Sequence, residues 1–149
     1  MAIFDRITSI LKANIHDLLD KAEDPEKMIY QLLREMEDEH GKARNQVAEA
    51  MAQEKKLERD LLAAQALVEQ GQAKAATALR AGDEALAREA LARKLAHGKR
   101  AEALQRALED QTEAVTRLKE QLHALEAKIE DAKRQKDVLL ARRKRVQAE

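Results

Sequence analysis

The sequence has no cysteine, no tryptophan, one proline, one phenylalanine, one tyrosine and four glycines among its 149 residues. Each shortage removes a class of protein. Without cysteine there is no disulfide framework, no thiol chemistry and no cysteine-based metal centre, and the composition fits a reducing compartment. So little proline and glycine leaves few places for the chain to turn. Aromatic and β-branched residues, which strands favour, are scarce. The same scarcity of large side chains rules out a wide globular core, so two or three helices zipped along narrow seams are the expected solution. There is no excess of either charge: 28 Lys and Arg balance 28 Asp and Glu. A general nucleic-acid binder needs a basic excess to displace counterions, so no nucleic-acid partner is expected. No stretch approaches the ~20 apolar residues that span a bilayer. The apolar opening stretch is broken by Asp5, Arg6, Lys12 and Asp17, which excludes a signal peptide.

What remains is mostly Ala, Leu, Glu, Lys, Arg and Gln, with 38% of residues charged. That is the composition of coiled coils and long helices. High charge also suits disordered chains, but here the apolar residues recur at helical spacing. In the first two dozen residues, Ile3, Phe4, Ile7, Ile10, Leu11, Ile15, Leu18 and Leu19 follow the i, i+3, i+4, i+7 pattern of an amphipathic helix. Asp5, Arg6, Ser9, Lys12, His16, Asp17 and Asp20 take the other side, and Asn14 interrupts the apolar arc. Such a face needs an apolar surface to lie on. A lipid interface, reached by apolar burial and modestly helped by Arg6, Lys12 and Lys21, serves as well as a partner helix, and the spacing does not choose between them.

The segment ends at Lys21-Ala-Glu-Asp-Pro25. Asp24 is a good N-cap, Pro25 suits the first helical position, and Glu26 favours the positive end of the helix dipole. Pro25 also disfavours the α conformation at Asp24, so the spacing predicts a hinge at Glu23, Asp24 and Pro25. From Pro25 to about Ala81 nothing stops a helix. Met28, Leu32, Met36, Ala43, Val47, Ala50, Leu57, Leu61, Ala64, Val68, Ala75 and Leu79 are its expected inward positions. Met28, Glu39, Ala50 and Leu61 suggest an eleven-residue period and a nearly straight rod.

Ala81-Gly82-Asp83 is the expected turn, with Gly82 in the left-handed conformation and Asp83 capping the next helix. A connection this short forces antiparallel neighbours. From Leu104 a heptad runs through Leu108, Gln111, Val115, Leu118, Leu122, Leu125, Ile129, Ala132, Lys136, Leu139, Arg143 and Val146, a coiled-coil signal. Upstream, Ala87, Leu91, Leu95 and Gly98 run in another phase, which predicts a stutter near Ala101. The second helix overhangs the first with Lys133, Arg134, Lys136 and the run Arg142 to Arg145, read as a solvated end or as a surface for lipid phosphates or acidic neighbours. The pattern stops at Glu149 without a cap, Gly or Pro, so a longer parent chain is expected. The fold expected is therefore all-α: an amphipathic helix over residues 1–24, then a long antiparallel coiled-coil hairpin over 25–149, with helices at about 25–81 and 84–149.

Chemistry is hard to find. The histidines at 16, 40, 97 and 123 form no metal-ligand spacing, there is no phosphate loop, and the carboxylates sit among i, i+4 basic partners on solvated faces. A hairpin rod also offers no concave pocket. No enzyme, no cofactor and no metal site are expected.

The opening MAIFDRI, the ANI at Ala13 to Ile15, LLDKAEDPEKMI from Leu18, REMED at Arg34 to Asp38, and the turn from Ala81 through DEALAREAL resemble the phage-shock-protein A family, which includes the vesicle-inducing protein in plastids. The resemblance implies kinship with the eukaryotic membrane-remodelling complex ESCRT-III. It implies a peripheral protein on the cytoplasmic face of the inner membrane that binds anionic or packing-stressed lipid. It also implies homo-oligomers that preserve the membrane under stress. It assigns lipid contact to Ile3, Phe4, Ile7, Ile10, Leu11, Ile15 and Leu18, and the basic Arg6 and Lys12 on their flank complete the expected lipid-binding set. It places the family hinge at Glu23, Asp24 and Pro25. It implies an intersubunit ion pair at Arg44 and Glu126, positions linked in plastid-type rings to a nucleotide, although nothing else here resembles a nucleotide site. An alternative function also follows: a regulatory module whose hairpin restrains an AAA+ transcriptional activator, with the first helix as a membrane-triggered release.

Overall fold

The computed structural model describes the backbone of residues 2–148 and the side chains of residues 5–148. These form four helices: α1 (Ala2–Lys12), α2 (Ile15–Asp20), α3 (Pro25–Arg80) and α4 (Glu84–Ala148). Among the described residues there is no strand.

The amphipathic opening is two helices, where the spacing suggested one. Asn14 stands in extended conformation, with φ −92° and ψ 104°. Its side-chain oxygen accepts the backbone N–H of Asp17 at 3.1 Å. Asparagine competes for backbone donors and so starts helices better than it continues them. The residue that breaks the apolar arc thus breaks the helix. Asp24 does the same for α3, accepting Lys27 N–H on its carboxylate at 3.2 Å and Met28 N–H on its carbonyl at 3.1 Å.

The chain divides into two compact units. The first comprises Met1–Ala48 and Thr116–Glu149. Its core is made of Ile7, Ile15 and Leu19 from α1 and α2, Ile29, Met36 and Ala43 from α3, and Leu125, Ile129 and Ala132 from α4. Along this part of α3, burial falls on Ile29, Leu33, Met36, His40, Ala43 and Val47, alternating steps of three and four; Met28 and Leu32 are half-buried beside it. The eleven-residue period is therefore not what the core follows. It arose from merging two faces: Glu39 is buried where α1 crosses α3, not along the α4 seam. On α4 the heptad from Leu118 to Leu139 faces inward as expected, but Arg143 and Val146 are exposed.

The second unit is Glu49–Val115. Here α3 turns inward Ala50, Glu54, Leu57, Leu61, Ala64, Val68, Gly71, Ala75 and Ala78. Opposite them α4 contributes Ala87, Ala90, Lys94, His97, Ala101, Leu104, Leu108, Gln111 and Val115. The three-four spacing passes through Ala101 without a shift, so there is no stutter. Leu91 and Leu95, expected with Ala87 and Gly98 in another phase of the repeat, are exposed, and so is Leu79, expected to face inward on α3. The reason is close approach: a Cβ at Gly71 would lie 2.9 Å from Lys94 Cβ and 3.4 Å from the Ala90 carbonyl oxygen. Backbones that near admit Ala and Gly between them and push leucine out. Gln111 closes part of the seam by donating to the Ala50 carbonyl at 3.0 Å.

Between α3 and α4 stand Ala81, Gly82 and Asp83. Gly82 has φ 76°. Its N–H meets Leu79 O at 3.1 Å while Asp83 N–H meets Ala78 O at 2.9 Å, the paired bonds of a Schellman ending. Asp83 then caps α4 by accepting Leu86 N–H at 3.0 Å.

Candidate functional site

The first unit seats the amphipathic segment against α3 and α4. Ile7 is fully buried, Ile15 and Leu19 nearly so, and Ile10 and Leu11 pack half-buried against the same cluster. Leu18 is exposed, because the break at Asn14 rotates α2 so that Ile15 and Leu19 take the inner face. The side chains of Ile3 and Phe4 lie outside the described residues. Within this unit, then, the segment's apolar face lies on protein.

Polar contacts hold the same segment. Arg6 donates to Glu39 Oε1 at 3.4 Å, and Lys42 stands 3.8 Å from that oxygen. Glu39 is a buried charged residue, and its second oxygen, Oε2, has no hydrogen-bond partner. Buried carboxylates are ordinarily satisfied at both oxygens, so this one is held incompletely. On the other side, Lys128 donates to Ala13 O at 2.6 Å and Leu11 O at 3.5 Å. A cation at the end of α1 satisfies orphan carbonyls and opposes the negative end of the helix dipole. Between α1 and α3 lies a cleft of about 530 Å³ lined by Asp5, Arg6, Ser9, Ile10, Glu35, Asp38 and Glu39. Lys12 is exposed in the last turn of α1.

Sequence reasoning singled out neither Glu39 nor Lys128 as site residues. Glu39 carried a faint signal, a charge in an inward register; Lys128 carried none, since its partners are backbone atoms distant in sequence. Glu23 and Asp24, expected at a hinge, are exposed ahead of Pro25, the first residue of α3. Arg44 and Glu126 are not brought together within the chain. Glu126 lies 3.8 Å from His40 and 3.6 Å from His123, while Arg44 is exposed on α3 among Glu37, Asp38, Gly41 and Lys42. Among the described residues no helix is long and apolar enough to cross a membrane, and no three His, Asp or Glu side chains converge to hold a metal ion.

Comparison with known proteins bears on the whole of this arrangement. The chain is 47% identical over 148 residues to the phage shock protein A homolog of Deinococcus radiodurans, covering 99% of this chain and 66% of that one. It is 42% identical over 142 residues to the membrane-associated protein Vipp1 of Nostoc punctiforme, covering 95% and 55% respectively. It is 33% identical over 141 residues to protein LiaH of Bacillus subtilis, covering 94% and 62%. The chain thus spans between half and two thirds of the length of these relatives. The profile of the PspA/IM30 family matches residues 2–149, and the chain belongs to that family.

Proposed function

We propose that this chain is the membrane-binding and hairpin-forming part of a peripheral, self-assembling protein that maintains or reshapes the cytoplasmic face of a stressed inner membrane. In this reading residues 25–149 act as an antiparallel coiled-coil hairpin and residues 1–24 as its lipid-binding segment. The unbroken three-four burial on α3 and α4 supports the hairpin. The observation that carries the lipid reading is an amphipathic segment set off from the long helices. Ile7, Ile10, Leu11, Ile15 and Leu19 form one apolar stripe, and a capped hinge at Asp24-Pro25 separates it from α3. A relative named as a membrane-associated protein points the same way. Burying each large apolar side chain is worth about 1.5–3 kcal/mol in lipid or in protein, so the stripe has two competent environments. The function is one of binding and assembly, without catalysis or cofactor.

Co-sedimentation with small anionic vesicles, with circular dichroism, tests this. The intact chain is expected to pellet with the vesicles, and a chain starting at Pro25 to stay in solution while remaining helical. Equal behaviour of the two would overturn the lipid role of residues 1–24.

A second reading has an observation of its own. Leu62, Leu79, Leu86, Leu91 and Leu95 are exposed on the second unit, more apolar surface than a solitary helical pair needs. It favours a protein partner there, either a further subunit or the AAA+ activator that the family resemblance implies. Replacing Leu91 and Leu95 with Glu is expected to abolish that contact and to leave vesicle binding intact.

A further inference from the structure

We propose that α1 docked in the first unit is a latched, lipid-incompetent state. Its clasp consists of the buried Glu39 carboxylate under Arg6 and the Lys128 ammonium on the last carbonyls of α1. The inference rests on the lipid reading of residues 1–24 and adds the control on it.

The physical case starts from exclusivity. Ile7 is fully enclosed and Ile10 and Leu11 lie against the core, so the face that would enter lipid is already occupied. Docking and insertion bury the same side chains, so the apolar contribution nearly cancels between the two states. Polar contacts then decide the balance, because they differ between the two states.

Those contacts sit at the middle and at the C-terminal end of α1. At Arg6, the partner carboxylate is more than nine-tenths buried and lacks a partner for Oε2, so the anchor is incomplete. At Leu11 and Ala13, Lys128 supplies from α4 the donor that would otherwise be water. The cleft beside Arg6 is lined by Asp5, Glu35, Asp38 and Glu39, so the docked surface repels anionic headgroups as well as hiding the apolar stripe. An anionic headgroup phosphate offers the Arg6 guanidinium a fully exposed acceptor with spare oxygens, in place of the half-satisfied Glu39. Arg6 is therefore the side chain that changes partners: carboxylate when latched, phosphate when released. Breaking the clasp in water lowers the cost of release. Fixing α1 to α3 raises it beyond reach.

Two variants of the full chain test this with vesicles of phosphatidylglycerol and phosphatidylcholine. Lys128→Met combined with Glu39→Gln keeps both side-chain stems and removes both charges, and neither residue is in the proposed lipid-binding set. Its vesicle affinity should rise roughly tenfold, the equivalent of about 1.4 kcal/mol, with helix content in water unchanged; no rise overturns the clasp. The second variant uses the absence of native cysteine. Ser9→Cys and Asp38→Cys line the same cleft and can be joined by a short bis-maleimide containing an internal disulfide. The joined form should lose vesicle binding and regain it when the linker is reduced. Equal binding before and after reduction means α1 need not leave its seat, and overturns the latch while the lipid reading stands. Absence of binding in every form, the unmodified chain included, overturns both.

Discussion

The two units are built from the same two long helices and solve packing in opposite ways. In Met1–Ala48 with Thr116–Glu149, Ile7, Ile29, Met36 and Leu125 are large side chains that are fully buried, beside the small Ala43 and Ala132. In Glu49–Val115 the seam toward the turn is Ala64, Gly71, Ala75, Ala78, Ala87 and Ala90, with Leu79, Leu86, Leu91 and Leu95 facing outward, while Leu57, Leu61, Leu104 and Leu108 face inward farther from the turn. A third element explains the difference. Where α1 and α2 lie on α3 and α4, there is a concavity to fill and large side chains fill it. Where only two helices meet, the cheapest contact is backbone near backbone, with small residues between. The first unit therefore gains stability from volume and the second from proximity, and the two should fail differently under substitution.

The largest effect is expected from volume. Leu125→Ala removes a fully enclosed side chain and should cost about 2–5 kcal/mol, including the cavity it leaves. Leu95→Ala, in the second unit, deletes the same atoms from an exposed position and should stay within about 0.5 kcal/mol of the parent. Urea denaturation followed by circular dichroism reads both. A large loss from Leu95→Ala would mean the outward leucines are already covered by another subunit under the conditions used.

Proximity is tested by glycine. Gly71→Ala places a methyl 2.9 Å from Lys94 Cβ and 3.3 Å from its Cα, neither of which is a flexible end. Overpacking of this kind costs about 1–3 kcal/mol, against a gain of about 1 kcal/mol in helix propensity. The net loss should reach up to about 2 kcal/mol. Gly98→Ala meets nothing within 4 Å and should stabilise by up to about 1 kcal/mol. If both substitutions stabilise, the helices separate more easily than the close contact implies.

This contrast explains what was legible in the sequence. The all-α class was, because it depends on local chemistry: helix-forming residues with alternating apolar steps, punctuated by Asp24 before Pro25 and Gly82 before Asp83. The heptad from Leu104 to Leu139 was also legible, since large residues mark the seam there. Between Ala87 and Ala101 the same rule misleads, because size marks the outside where backbones are close. Ile29 was passed over for Met28 because two neighbouring faces of α3 are both covered in the first unit. The seat of α1 was not legible. The pattern describes an apolar face but carries nothing about what covers it, and the polar contacts at Glu39 and Lys128 join positions far apart in the chain.

A smaller effect sharpens the boundary of the first unit. Asp24→Ala removes the acceptor for Lys27 N–H at the start of α3 and should cost about 1 kcal/mol. The loss should be local. Hydrogen exchange is expected to quicken in the first turn of α3, with amides near Gly71 unchanged; uniform acceleration would show the two units opening as one.

The smallest effect is expected where the geometry looks best. Arg143 Nη1 lies 2.6 Å from Glu26 Oε1, joining the end of α4 to the first turn of α3. The arginine side chain is 57% exposed and the glutamate 30%, so water and salt screen the attraction, and ordering two long side chains offsets part of it. A double-mutant cycle with Glu26→Gln and Arg143→Gln should give a coupling below about 1 kcal/mol, shrinking further at about 1 M salt, where charges are screened within ~3 Å. Both substitutions leave the core untouched, so the cycle isolates what charge adds to a unit otherwise held by volume. A coupling several times larger would mean the α4 end is part of the packed unit and not a solvated edge. Its neighbours Arg142, Lys144 and Arg145 would then be fixed in position as well, a preorganised basic surface beside the start of α3.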